Sequence, residues 1–187
     1  MYGIKLKVRK AEGDYDPGVS KMLGNPTLPK GMDKEIPGTA MFLMQIRLEE
    51  LKDIDVDNRL PHTGYLYFFL DLADTQYSMK PIVKYHDGEP DELVGDFNEG
   101  FEGLEGATQE YLIEFEKCDE AEPGNRLLGV ATDWQFQEEP EGALLFQFDP
   151  YEEPGMNLFP TFDGMMYFFF GKDHRDFDSV SFVEDFS

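Results

Sequence analysis

The chain spells one aromatic block twice, and that repetition constrains its fold more than any other feature. "GYLYFFLD" begins at Gly64 and "GMMYFFFG" begins at Gly164, an offset of 100 residues. Upstream of each lies a second matching piece, "FLMQI" around Gln45 and "LLFQF" around Gln147, offset by 102. Further upstream, "KMLG" ending at Gly24 echoes "RLLG" ending at Gly129, offset by 105. Downstream, Val83 and Tyr85 stand against Val180 and Phe182, offset by 97. The pieces keep their order while the offset shrinks steadily, as expected when connecting loops shorten in a second copy. The pattern predicts an internal duplication, with copies at about 20–86 and 125–184 of one domain spanning 1–187.

Each copy reads as β-rich. In "GYLYFFL", Tyr65, Tyr67 and Phe69 face one way while Leu66, Phe68 and Leu70 face the other, so both faces are apolar. A strand of that kind is central and covered on both sides. Strands at 40–46 and 143–148 are likewise nearly all apolar, each interrupted by one Gln, which predicts a buried amide bonded to neighbouring backbone. The first strand differs, because Tyr2, Ile4, Leu6 and Val8 alternate with Lys5, Lys7 and Arg9. Half-burial and lysines suit a sheet edge. Helical signals are thin: "RLEELKDI" has room for two turns with Leu48 and Leu51 inward, and "QEYLIEFE" at 109–116 fits strand alternation as well as helix. The expected class is α+β, predominantly antiparallel β, with two similar halves around a shared core.

Charge divides the chain unevenly. Up to Lys84 there are 12 basic and 12 acidic residues; the remaining 103 residues hold 4 basic and 27 acidic, which is the whole net charge of −23. A field of that sign repels nucleic acid and anionic lipid and attracts cations and basic proteins. The segment of about 87–123 carries 14 of the acidic residues and contains "EGFEGLEGA", with Gly100, Gly103 and Gly106 at every third place. The interleaved Glu99, Glu102 and Glu105 would repel a phosphate, so the segment reads as a mobile, solvated acidic loop rather than an anion cradle. No stretch approaches the roughly 20 apolar residues of a membrane helix. The opening "MYGIKLKVRK" has no apolar run of the signal-peptide kind, and a cytoplasmic location is the expectation.

An ordered set of these pieces resembles a known family. "SKMLGNPTLPKG", "GTAMFLMQIRLEEL", "LPHTGYLYFFLD", "LLFQFD" and "DGMMYFFFGKDHRDFDSVSFV" together are similar to the YwqG-like bacterial proteins, from about Ser20 to Val183. The resemblance implies a bacterial cytoplasmic protein of mixed α+β fold and supplies no function. The second copy departs from it, with "RLLGVATDWQ" where the family shows a Gly-Gly-Tyr-Pro stretch.

Catalytic signals are sparse. There is no Gly-Xaa-Ser-Xaa-Gly elbow, and Cys118 sits among Glu116, Asp119 and Glu120, whose charges raise a thiol's pKa and disfavour a nucleophile. His62, His86 and His174 lack zinc-ligand spacing. "DIDVDNRLPHTG" places Asp53, Asp55 and Asp57 at the first three ligand positions of an EF-hand-like calcium loop, but Gly64 stands where the bidentate Glu belongs. Two functional readings stay open. One is a non-enzymatic interaction protein, immunity-like, whose Glu99, Glu102 and Glu105 engage a basic protein. The other is a small-ligand binder or enzyme with a groove between the halves, lined by Trp134, Tyr65 and Tyr167. No cofactor is implied beyond the calcium candidate.

Overall fold

The computed structural model describes residues 1–73, 79–132, 142–153, 156, 164–171 and 173–186. Twelve strands run through them: β1 (Tyr2–Lys10), β2 (Lys21–Met22), β3 (Thr27–Leu28), β4 (Ala40–Arg47), β5 (Tyr65–Asp71), β6 (Lys80–His86), β7 (Glu92–Leu93), β8 (Tyr111–Asp119), β9 (Arg126–Leu127), β10 (Leu144–Phe148), β11 (Gly164–Phe169) and β12 (Ser181–Phe186). Ten of them form one antiparallel sheet in the order β12-β11-β10-β9-β1-β8-β2-β4-β5-β6, and β3 pairs with β7 in a small second sheet. The large sheet curls until β12 and β6 approach each other, a nearly closed barrel. Helix among the described residues is confined to four 3-10 turns, including Leu48–Leu51 with both leucines buried. Of the mixed α+β expectation, the structure carries the antiparallel β part.

The double-faced strands sit where their patterns require. On the barrel side of β5, Leu66, Phe68 and Leu70 enter the main core; on the other side Tyr65, Tyr67 and Phe69 pack with Phe42, Leu28 and Ile36. In β11, Phe168 faces the main core while Tyr167 and Phe169 form a separate outer cluster with Leu144. Phe68, Phe146 and Phe168 meet at the centre, with ring centroids 5.4, 5.6 and 5.5 Å apart. Burying such a ring contributes about 1.5–3 kcal/mol, and each pairing adds about 0.5–1.5 kcal/mol. β5 thus shares one aromatic knot with the late pair β10 and β11.

Two expectations are corrected. β1 is not an edge: it lies mid-sheet, with Leu6 opposite Phe115 of β8 and Ile4 opposite Leu127 of β9. Its basic outer face is matched by the acidic outer face of β8, where Lys7 pairs with Glu116 and Arg9 Nε lies 3.6 Å from Glu114 Oε1. Lysines that look solvent-bound in sequence are therefore neutralised across the ladder. The 87–123 segment is not a mobile loop throughout either, because 111–119 forms the whole of β8.

The recurring "KMLG" and "RLLG" pieces end β2 and β9 in the same way. Leu23 and Leu128 both have φ of 60°, followed by Gly24 and Gly129 at φ of 67° and 83°. Leu23 N donates to Leu43 O at 2.9 Å, and Leu128 N donates to Leu145 O at 3.1 Å. A left-handed leucine costs roughly 1–2 kcal/mol, which the surrounding bonds offset.

Candidate functional site

The two glutamines are backbone clamps. Gln45 Oε1 accepts from Thr27 N at 2.8 Å, and its Nε2 donates to Pro17 O at 3.1 Å and Val19 O at 2.9 Å. Gln147 Oε1 accepts from Thr132 N at 2.9 Å, and its Nε2 donates to Gly124 O at 3.0 Å. Beside them, Arg47 N donates to Ser20 Oγ and Asp149 N to Asn125 Oδ1, both at 2.9 Å. These amides are fully committed to structure and leave nothing for chemistry.

A buried cation accompanies each clamp, a feature that residue type alone does not reveal. Arg126 is wholly buried, its guanidinium donating to the carbonyls of Glu120 and Glu122 at 2.7 Å each and to those of Leu128 and Val130. Lys21 is wholly buried with Nζ 3.3 Å from Glu110 Oε1. Burial lowers its ammonium from 10.5 to about 8, and burial also raises the Glu110 carboxyl. Above pH 8 the folded chain sheds this proton while the unfolded chain holds it to about 10.5, so unfolding takes up a proton and stability gains with pH across that window. Lys21→Met alone would leave Glu110 without its cation, so the paired variant Lys21→Met, Glu110→Gln is the one that removes the cost of burying the charge. Urea unfolding is expected to show the variant more stable than wild type by up to about 3 kcal/mol at pH 7. That difference narrows towards pH 10. A pH-independent difference would contradict this account.

The calcium candidate does not assemble. Asp55 turns inward and is wholly buried, accepting from Tyr2 OH at 3.0 Å and Leu60 N at 2.8 Å, with His62 Nε2 at 3.2 Å. Asp53 and Asp57 stay exposed. Among the described residues no three His, Cys, Asp or Glu side chains gather as around a metal ion. Asp55 serves instead as a buried acceptor that stitches the 55–62 loop to β1. Of the other histidines, His86 belongs to β6 and His174 packs edge-on against Phe170 at 5.0 Å. Cys118 has its thiol raised, chiefly by burial, with Glu122 adding and Arg126 opposing.

Tyr65, Tyr67 and Tyr167 are buried in the outer clusters rather than lining a groove. Tyr65 and Tyr67 stack at 6.0 Å, and burial raises both hydroxyls. Trp134 lies outside the described residues.

The acidic segment is ordered where it leaves the sheet. Asn98 is buried, accepting from Phe42 N at 2.8 Å and donating to Phe42 O and Ala107 O, both at 2.9 Å. Phe97 packs on Phe42 and Phe69 at 6.4 and 5.6 Å, and Leu104 and Ala107 are buried. Glu92 and Asp96 just before these anchors, and Glu99, Glu102 and Glu105 among them, are all exposed. Glu105 accepts from Gly103 N at 3.3 Å. The side chains of the other four make no hydrogen bond or ion pair among the described residues.

Depressions open on the surface at two places that matter here. A broad one of about 700 Å³ spans β1 and β8, but its charges are matched: Lys5 with Glu152, Lys7 with Glu116, and Lys117 Nζ 4.2 Å above the Tyr2 ring. A narrower one of about 360 Å³ lies where the sheet nearly closes, walled by Leu60, Pro61, His62, Tyr85, Arg175 and Phe177.

The segment that runs from β2 through β6, holding the first glutamine clamp, also carries the chain's family likeness. Residues 20–91 match the family model described as Domain of unknown function (DUF1963). The DUF1963 match covers less than half of the chain and includes Asp55, His62 and the first aromatic block. It stops short of the 92–105 acidic turn and of β8 to β12. No curated protein matches the chain. No helix among the described residues is long and apolar enough to cross a membrane.

Proposed function

We propose that this chain is a non-enzymatic, cytoplasmic interaction protein that presents a rigid acidic turn to a basic protein partner, in the manner of an immunity protein. One observation carries the reading. The unpaired carboxylates Glu92, Asp96, Glu99 and Glu102 stand on a turn anchored by buried Asn98, Leu104 and Ala107 and half-buried Phe97. Glu89, Glu110, Glu114 and Glu116, by contrast, are engaged by Arg47, Lys21, Arg9 and Lys7. Charge held in place loses little freedom on binding, and complementary charge speeds association in a salt-dependent way.

The test is capture of partner proteins from the native cell's lysate at low and high salt. The wild type is expected to retain a basic protein at low salt and release it at high salt. The exposed triple variant Glu99→Lys, Glu102→Lys, Glu105→Lys should lose capture by at least about tenfold, about 1.4 kcal/mol, with its thermal unfolding little changed. Equal retention by the variant counts against the acidic turn.

A second reading, a small-ligand site between the halves, is favoured by the 360 Å³ cavity at the sheet's closure. The paired clamps at Gln45 and Gln147, and the paired left-handed leucines, support descent of the two halves from one duplicated unit. The wider YwqG-like assignment of the chain belongs to the same proposal.

A further inference from the structure

Among the described residues no backbone hydrogen bond joins the two ends of the barrel sheet. β6 and β12 are the two ends of the sheet, and the chain bridges them with the turn at 173–179. Phe177 of that turn is buried and lies 5.9 Å from the Tyr85 ring, and Asp178 Oδ1 lies 3.1 Å from Lys84 Nζ. The 360 Å³ cavity sits in this junction, within the range of small-molecule sites.

In a chain of net charge −23, no carboxylate lines this cavity among the described residues. Leu60, Pro61, Tyr85 and Phe177 supply an apolar body, and His62 is held at its edge by buried Asp55. Arg175 is one of only four basic residues after Lys84, yet its guanidinium makes no ion pair among the described residues. Carboxylates are close in sequence but used: Asp173 Oδ1 accepts from Arg175 N at 2.9 Å, Asp176 Oδ1 from Asp178 N at 3.2 Å, and Asp178 holds Lys84. The acids of the turn thus bond to its own backbone and to Lys84, leaving a planar, bidentate cation at an apolar pocket.

We propose that this junction cavity binds a small organic monocarboxylate, its carboxylate on Arg175 and its apolar body against Tyr85, Phe177 and the Leu60–Pro61 wall. A guanidinium fork matches a carboxylate with two parallel hydrogen bonds. A single charge suits the site better than a phosphate, because the acidic field opposes each added negative charge. Asn58 and Thr63 complete a polar rim. The inference rests on the ligand-site reading and is independent of the acidic turn.

The experiment is an NMR titration of the full chain at constant ionic strength, following backbone amides of 58–60, 62–63, 84–86 and 175–177. The probes are benzoate, its neutral analogue benzamide, and inorganic phosphate. Benzoate is expected to shift these resonances saturably, and both benzamide and the Arg175→Gln variant should weaken binding at least about tenfold. Arg175 is exposed, so the variant keeps the fold. Benzamide binding as well as benzoate, with no effect of Arg175→Gln, would overturn the carboxylate assignment while leaving a ligand cavity. Phosphate binding more tightly than benzoate would overturn the apolar-body assignment. No shift from any probe would overturn the ligand-site reading itself.

Discussion

Arg126→Leu is expected to lower the unfolding free energy by about 4 kcal/mol in urea denaturation, one of the two largest single-residue losses expected here. The guanidinium is wholly buried and donates to four carbonyls, with Gln147 Oε1 at 3.3 Å as a fifth acceptor. A leucine of similar volume leaves these acceptors unpaired, and each unpaired buried group costs about 1–3 kcal/mol. The total falls short of the sum because Val130 and Glu120 are exposed enough to find water. Arg126→Lys keeps a charge but replaces a planar fork with a single ammonium, and should restore less than half of the loss. A loss under about 1 kcal/mol for the leucine variant would mean that the carbonyls rehydrate freely.

Gly64→Ala is the second. Gly64 has φ of 73°, and a Cβ there would overlap the His86 carbonyl oxygen and come within 2.8 Å of Asp87 Cα. Both obstacles are backbone of the neighbouring strand, so neither can rotate away. Left-handed strain and overpacking together cost about 3 kcal/mol or more, which lowers Tm by roughly 6–12 °C for a chain of this size. Gly38→Ala is the control: its φ is not left-handed and nothing lies within 4 Å of the added carbon. It should leave Tm within about 2 °C.

Much of the fold was legible because it rests on local repetition. Apolar residues on both faces of 65–70 can only belong to a covered strand, and β5 is one. Gln45 and Gln147 were readable as backbone clamps, since an isolated amide in an apolar strand must find partners. What stayed hidden depended on residues far apart in sequence. The basic residues of β1 look like an edge because Glu116 and Glu114, the partners of Lys7 and Arg9, come more than a hundred residues later. The pattern of 109–116 fits strand and helix equally, and only pairing of 111–119 with β1 and β2 decides it. Asp55 was grouped with Asp53 and Asp57 by spacing, yet Tyr2 draws it inward, away from the other two. The junction cavity had no sequence signature, because loop 58–63 and residues 175–177 meet only when the barrel curls.

The central place of β1 sets a timetable for synthesis. Ile4 finds its β9 neighbour at Leu127, and Leu6 finds its β8 neighbour at Phe115. A ribosome adding about 5–20 residues per second would deliver those partners on the order of 5–25 s after the first strand. Throughout that wait, "YGIKLKV" is an unpaired strand with an apolar face, and its lysines and arginine then serve a purpose that the finished barrel conceals. Until the acidic strand arrives, they keep nascent chains from pairing with one another.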